Sequence, residues 1–421
     1  MDKLVVDGGK RLKGEVVISG AKNSALPILA ASLLTEKESV IENVPQLRDI
    51  TTMIRILRNL GAKVTQEGNV VTVKPGKNIK HVAPYRYVSV MRASVCLLGP
   101  LLGRLKQAEV SMPGGCVIGL RPIDLHLKGL EALGAKIRVE HGYVYAETKQ
   151  LKGADVYLGG PFGSSVLATV NVMMAATLAK GTTRIENAAC EPEIVDLANF
   201  LNSMGAEVKG AGSHLIEVKG VSELHGTHHR VIPDRIEAGT YMVASALTRG
   251  DLDIKGLIPE HNTVLIDKLS EAGVSVKRSS KTSLRVVGRR TLKSVDVTTL
   301  AYPGFSTDLQ AQMMALMTVT PGINVITEKI YPDRFMHVSE LIRMGSKIFL
   351  EGSSAIVTGV KRLSGAPVMA SDLRASAALV LAGLVAEGKT EIHRVYHLDR
   401  GYERIEEKLN ALGAKIWREK E

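Results

Sequence analysis

Three cysteines among 421 residues cannot staple a fold of this size, so a disulfide framework is excluded and each cysteine is read as a thiol. Aromatic side chains are also scarce. Five phenylalanines, ten tyrosines and one tryptophan are too few for a platform on which successive bases stack. Apolar runs such as 166–179 are broken by Thr169, Asn171 and Thr177 and fall short of the roughly 18 residues a membrane helix needs. The first residues carry Asp2, Lys3 and Asp7 where a secretory signal would be apolar, so the cytoplasm is the expected compartment. No two cysteines approach zinc-ligand spacing and no histidine pair completes a site, so no metal is expected.

What is present is ordinary globular composition, 45% hydrophobic and 23% charged, in a length that predicts two or three domains. Lysine plus arginine is 54 against 43 acidic residues, and the net charge of +11 favours an anionic partner. The cations are dispersed, the densest patches being Lys277-Arg278 with Lys281 and Arg289-Arg290. With no contiguous basic arm, phosphorylated metabolites fit this charge better than nucleic acid or a membrane surface.

An internal repeat organises the chain. The octet Leu57-Arg58-Asn59-Leu60-Gly61-Ala62-Lys63-Val64 recurs at 130–137, 201–208, 269–276, 341–348 and 409–416. Its glycines, Gly61, Gly134, Gly205, Gly273, Gly345 and Gly413, are separated by 73, 71, 68, 72 and 68 residues. The leucines end an amphipathic helix, the glycine closes it in the left-handed conformation, and the alternating residues after it begin a strand. A second helix type, apolar nearly all round and therefore core, begins near Ala21, Arg92, Ser164, Arg235, Thr307 and Asp372. Three repeats per domain give two domains, 21–232 and 1–20 with 233–421. The strands at Leu4 to Val6 and Glu15 to Ile18 have no preceding helix and are assigned to the last repeat.

Charge stands where the core helices start. Lys22, Arg92, Arg235 and Arg374 lie in the first turns of four of them, where the helix dipole disfavours a cation unless an anion compensates. Asp234 and Glu237 offer Arg235 a local ion pair, and Asp372 offers one to Arg374. Lys22 and Arg92 have no acidic neighbour within several residues and are the stronger anion-site candidates. Gly20-Ala21-Lys22-Asn23-Ser24 is a glycine-led helix start suited to a phosphate or carboxylate, without the spacing of an ATP loop.

A second region, 111–124, packs Gly114, Gly115, Gly119, Pro113 and Pro122 around Cys116 and Arg121 and reads as a mobile lid with an exposed thiol in an electropositive setting. Cys96, inside an apolar run, reads as inert core; the character of Cys190 stays open. A third region, Tyr302-Pro303-Gly304-Phe305-Ser306-Thr307-Asp308, leads into a core helix. Thr307 or Asp308 either caps that helix or, for Asp308, supplies a general base.

Gly20-Ala21-Lys22-Asn23, Pro113-Gly114-Gly115-Cys116 with Arg121-Pro122-Ile123-Asp124, Phe305-Ser306-Thr307-Asp308, Asp372-Leu373-Arg374 and His397-Leu398-Asp399-Arg400-Gly401-Tyr402-Glu403-Arg404 together resemble the UDP-N-acetylglucosamine 1-carboxyvinyltransferase family of enolpyruvyl transferases. The resemblance runs the length of the chain. It implies an α/β fold of two inside-out barrels, each of three βαβαββ units, with the core helices aimed at a cleft between domains. It implies transfer of the enolpyruvyl group of phosphoenolpyruvate to the 3-hydroxyl of UDP-N-acetylglucosamine with release of phosphate, the first committed step of peptidoglycan synthesis, without a cofactor. Carried over by motif, Cys116 is the proton donor and the thiol that fosfomycin alkylates, and Asp308 accepts the hydroxyl proton. Lys22 and Arg400 bind phosphoenolpyruvate, Arg121 lies near the phosphates, and Asp372 orders the catalytic groups. Asn23, Arg92, Arg121, Pro122, Ile123, Asp124, Leu125, Asp308 and Ile330 form the sugar-nucleotide side, with Ser164, Ser165 and Val166 at the uridine-diphosphate loop and Arg374 as a further substrate-binding cation.

Two departures stand out: the 163–166 segment lacks a lysine found in some members, and Pro332-Asp333-Arg334 replaces a Glu-Asn-Arg form. The rival readings are 5-enolpyruvylshikimate 3-phosphate synthase, which does not require the Pro-Gly-Gly-Cys segment, a nucleic-acid-binding or RNA-end-processing protein of related repeat fold, and a non-catalytic paralogue.

Overall fold

The computed structural model describes residues 2–112, 122–161 and 163–421. The described residues divide into two compact units, the Gly20–Ile232 unit holding 20–112, 122–161 and 163–232, and the other holding 2–19 and 233–421. Each has its own hydrophobic core.

Six four-stranded sheets among the described residues repeat one topology. An edge strand lies parallel to the strand that follows the core helix. Two antiparallel strands complete the sheet, the last being the one that follows the octet glycine. Thr182–Glu186, for example, pairs in parallel with Asp155–Tyr157 and antiparallel with Leu215–Lys219, which pairs with Glu207–Lys209. The octet glycines all adopt positive φ, from 89° at Gly134 to 111° at Gly61, so each helix closes as its sequence predicts. The helix Arg48–Leu60 shows the packing logic: Ile50, Met53, Ile54, Ile56, Leu57 and Leu60 are buried and the intervening polar residues face out. Truncating Leu57 to alanine there costs about 2–5 kcal/mol.

The core helices are Lys22–Ala31, Leu98–Leu105 preceded by the turn Arg92–Leu97, Val166–Ala176, Arg235–Leu247, Gln310–Thr318 preceded by the turn Thr307–Leu309, and Leu373–Val385. Within each unit they pack against one another, and the sheets bury one face over them. Helices inside and sheets outside is the inside-out barrel arrangement. No helix among the described residues is long and apolar enough to cross a membrane.

One assignment from sequence is corrected. Asp2–Asp7 does complete the last repeat, lying between Lys389–His393 and Ile416–Lys420. Lys13–Val17, however, pairs in parallel with Asp251–Lys255 of the fourth repeat. The counterpart is His228–Arg230, which leads into the helix Arg235–Leu247 yet pairs with Ser39–Glu42 of the first repeat. At each crossing between units the edge strand stays behind, and the chain enters a core helix of the other unit. Elsewhere strand, core helix and parallel strand form a continuous crossover.

Candidate active site

In the Gly20–Ile232 unit the first core helix starts from a turn only glycine can make: a Cβ on Gly20 would meet the Asn43 carbonyl oxygen at 1.6 Å. The Ala21 N–H donates to the Ile232 carbonyl at 2.8 Å. Beneath the turn, Asp196 accepts a hydrogen bond from Ser24 Oγ, another from the Ile232 N–H at 3.2 Å, and contacts His229 Nε2 at 2.9 Å. This polar brace fixes the backbone that presents Asn23, which is exposed, and Lys22, which is buried. Lys22 Nζ lies 3.1 Å from Asp49 Oδ2, so the acid absent from its sequence neighbourhood arrives from the helix Arg48–Leu60.

Arg92 donates to the Pro122 carbonyl at 3.4 Å, bringing it to the stretch that opens the helix Asp124–Ala132. Pro122 and Asp124 are exposed, Leu125 half-buried and Ile123 buried. Behind them, the Asn171 amide is fully committed. Its Oδ1 accepts from the Gly99 N–H at 2.8 Å, so its Nδ2 donates to the Val95 carbonyl at 2.9 Å and to His126 Nδ1 at 2.8 Å. His126 is thereby an acceptor at Nδ1 with its proton on Nε2, and burial, with Arg92 nearby, pushes its pKa down to about 3. Ser164 lies in a short ladder with Gly159, Ser165 caps the helix Val166–Ala176 by accepting from the Ala168 N–H, and Val166 is that helix's first residue.

Cys116 and Arg121 lie outside the described residues. Of the other thiols, Cys96 is wholly buried and its pKa is pushed up to about 12 by that burial. Cys190 is buried 3.5 Å from His214 Nδ1, and burial raises its pKa, with Glu191 adding to the effect. Neither has the character of an activated thiolate.

In the other unit Asp308 sits between two guanidiniums. Arg334 Nη1 donates to Oδ1 at 2.8 Å and Arg374 Nη2 donates to Oδ2 at 2.9 Å. Burial pushes the carboxyl up, but the two arginines outweigh it and hold it well below the usual carboxylate range. Arg374 is 2% exposed, stands 5.4 Å from the Tyr402 ring, and has no hydrogen-bond partner for Nε or Nη1 among the described residues. The Tyr402 hydroxyl contacts Thr240 Oγ1 at 2.8 Å and accepts from Gln312 Nε2 at 3.2 Å. Ile330 is half-buried, its N–H held by Glu328 Oε1 at 2.9 Å. Arg400 ends the turn Val395–Arg400, which packs against the helix Leu373–Val385.

Three local ion-pair or capping readings change. Asp372 does not pair with Arg374 as a counter-ion; its Oδ1 caps the helix by accepting from the Arg374 and Ala375 N–H groups at 2.7 and 3.1 Å. Asp234 likewise caps Arg235–Leu247, and Glu237 binds Lys408 at 2.6 Å, while the Arg235 guanidinium lies 5.5 Å from the Tyr302 ring. Neither Thr307 nor Asp308 caps its helix turn, since Ser306 Oγ accepts from the Asp308 N–H at 3.2 Å. Both side chains are thus released for other bonds. A cavity of about 280 Å³ lies beside this segment, lined by Arg235, Asn262, Tyr302 and Ser306 among others.

The profile of the family described as EPSP synthase (3-phosphoshikimate 1-carboxyvinyltransferase) matches residues 6–409. The chain belongs to the EPSP synthase family. Within it, the chain is 57% identical over 417 residues to UDP-N-acetylglucosamine 1-carboxyvinyltransferase 1 of Caldanaerobacter subterraneus, covering 99% of each. It is 55% identical over 420 residues to the enzyme named UDP-N-acetylglucosamine 1-carboxyvinyltransferase from Desulfatibacillum aliphaticivorans, covering 100% of each. Among solved structures it resembles the enolpyruvyl transferase NikO from Streptomyces tendae, with a TM-score of 0.89 at 25% identity over 99% of this chain and 98% of that one. An EPSP synthase from Acinetobacter baumannii shares the fold at a TM-score of 0.77 and 19% identity, with 100% of both chains covered.

Sequence reasoning missed Asp49 and Arg334 in this member of the EPSP synthase family. Asp49 is invisible as a partner because 27 residues separate it from Lys22. Arg334 stands in the Pro332-Asp333-Arg334 tripeptide, and only its buried position, 5% exposed against Asp308, marks it.

Proposed function

We propose that this chain transfers the enolpyruvyl group of phosphoenolpyruvate to the 3-hydroxyl of UDP-N-acetylglucosamine, releasing phosphate, and that it does so in the cytoplasm. The observation that carries the reading is the Asp308 cluster: one carboxylate shared by two buried guanidiniums, with Arg374 Nε and Nη1 lacking a hydrogen-bond partner among the described residues. Such a cluster is suited to an anionic substrate beside a proton acceptor. The choice of acceptor substrate rests on the names borne by relatives 55–57% identical over the whole chain.

The chemistry requires the sugar hydroxyl to add to carbon 2 of the enol while carbon 3 gains a proton. The tetrahedral intermediate then loses phosphate and a proton from carbon 3. In this proposal Cys116 delivers the proton to carbon 3, and Lys22, Arg121 and Arg400 hold the phosphate and carboxylate. Asn23, Arg92, the 122–125 stretch, Ser164 to Val166 and Ile330 hold the sugar nucleotide.

Asp308 takes the hydroxyl proton, and its surroundings add a condition. A carboxylate bound by two guanidiniums is a weak base. A substrate anion that engages Arg374 or Arg334 withdraws part of that stabilisation, so the carboxylate becomes basic when the donor is bound. Asp372 supports the site by capping the helix that carries Arg374.

The test is phosphate release from phosphoenolpyruvate with either UDP-N-acetylglucosamine or shikimate 3-phosphate. Release with the sugar nucleotide alone is expected, and release with shikimate 3-phosphate alone would move the chain to the other branch of the family. Fosfomycin treatment followed by intact-mass analysis should give one adduct in the peptide containing Cys116, with Cys96 and Cys190 unmodified. An adduct elsewhere would remove Cys116 from its role.

A further inference from the structure

The reaction scheme does not use Glu328, yet its side chain is a wholly buried carboxylate with four donors aimed at it. Oε1 accepts from the Thr299 hydroxyl at 2.6 Å and from the Ile330 and Tyr331 N–H groups at 2.9 and 3.0 Å. Oε2 accepts from the Thr307 hydroxyl at 2.9 Å. A threonine hydroxyl has one proton, and an ionised carboxylate can only accept it. Thr307 therefore points its proton at Glu328, and its oxygen is left as an acceptor. Into that oxygen Arg334 Nη1 donates at 2.9 Å, while the same nitrogen donates to Asp308 Oδ1 at 2.8 Å. Both hydrogens of Nη1 are thus assigned, one by Thr307 and one by Asp308. Glu328 also holds the backbone of Tyr331, whose ring lies 5.9 Å from the Arg334 guanidinium.

We infer that Glu328, acting through the Thr307 hydroxyl, is a positioning residue that aims Arg334 at Asp308 and so sets where the anionic end of the donor substrate is held. The inference rests on the proposed reaction for the word "donor"; the orientation of Arg334 does not. The relay has a polarity, which separates it from a simple brace for the 328–331 turn. In Glu328→Gln the amide oxygen can keep the backbone bonds to Ile330 and Tyr331, but an N–H now faces Thr307. The hydroxyl must then accept from the amide, and its proton turns toward Arg334, where no acceptor waits. Thr307→Val removes the relay oxygen, and Thr307→Ser retains it.

A hydrogen bond to a charged group corresponds to about tenfold to a hundredfold in affinity. Glu328→Gln and Thr307→Val are each expected to raise KM for phosphoenolpyruvate in that range, with a much smaller change in KM for the sugar nucleotide. Thr307→Ser should recover most of the loss, and the double variant should be no worse than Thr307→Val, because Glu328 acts through that hydroxyl. Additive losses, or a Glu328→Gln variant with unchanged KM for phosphoenolpyruvate, would overturn the relay. A crystal structure of Glu328→Gln supplies a readout independent of turnover: Arg334 displaced from Asp308 with the 328–331 backbone in place supports it, and an unmoved Arg334 refutes it. If Arg334 moves but the wild-type chain fails to release phosphate, the relay stands and the proposed reaction falls.

Discussion

Two core-helix starts, one in each unit, hold their cations differently. In the Gly20–Ile232 unit the Lys22 ammonium lies 3.1 Å from the Asp49 carboxylate, and both are buried. In the other, one carboxylate, Asp308, accepts from two guanidiniums, and Arg374 Nε and Nη1 have no hydrogen-bond partner among the described residues. The first sets a carboxylate beside a cation at a helix N-terminus and so offsets its unfavourable placement. The second divides one carboxylate between two guanidiniums. Lysine presents a compact charge on a flexible stem, whereas arginine presents a planar fork that can serve two acceptors at once.

Removing the shared carboxylate should break the comparison most severely. Asp308→Ala leaves Arg334 and Arg374 buried without their shared carboxylate and deletes the proposed proton acceptor. Turnover should fall by about a thousandfold, and urea denaturation should show a loss of about 3–5 kcal/mol. Turnover within tenfold of wild type would show that another group accepts the proton. Asp49→Asn should cost less, about 3 kcal/mol of stability for an unpaired buried cation, because the lysine stem can swing its ammonium toward water. The same variant should raise KM for phosphoenolpyruvate if Lys22 is a ligand held in place by Asp49.

Buried histidines sharpen the contrast in a different way. His126 is neutral in the folded chain, with its pKa down at about 3 from an ordinary 6.5. His337, beside Arg334 in the other unit, is lowered to about 4 by burial, with Asp372 opposing and Arg334 adding to the shift. Below pH 6.5 the unfolded chain takes up protons that the folded chain refuses, so stability falls as the pH drops from 6.5 toward these folded values. For His126 alone the loss at pH 5 is about 2 kcal/mol. Unfolding free energies from urea titrations at pH 7 and pH 5 should differ by more than that in the wild type, where His337 adds its own loss, and by less in His126→Asn than in the wild type. The smallest effect is expected at Asp372. Asp372→Asn keeps an acceptor for the Arg374 and Ala375 N–H groups and should change stability by only tenths of a kcal/mol, whereas Asp372→Ala should lose about 1 kcal/mol. A large kinetic defect in Asp372→Asn at unchanged stability would give that carboxylate a chemical role beyond the cap.

Much of this molecule is legible without coordinates where the information is local or periodic. The six glycines announce left-handed helix ends because few other residues adopt positive φ cheaply, and the core helices announce themselves by being apolar all round. The motif residues Lys22, Asn23, Asp308 and Arg374 were legible as candidates because a charged or amide side chain at the start of a buried helix needs a reason. The partner of Lys22, the brace of Asp196 with Ser24 and the pairing of Arg334 with Asp308 were not, since each joins residues far apart in the chain.

Two readings show the same boundary from the other side. Lys13–Val17 reads as a strand in any register, but which sheet it joins depends on backbone hydrogen bonds to Asp251–Lys255, which carry no sequence signature. A local ion pair with Asp372 is one of two readings open for Arg374 because the two are neighbours in the chain; geometry turns the carboxylate onto the helix N–H groups and sends the guanidinium to Asp308. The linear order of residues set the repeat, the helix ends, the apolar cores and the types of charge available, because those follow from short-range sterics and hydrophobic periodicity. Which charge meets which was settled only when the fold brought distant helices and strands within about 3 Å, the range at which hydrogen bonds and ion pairs act.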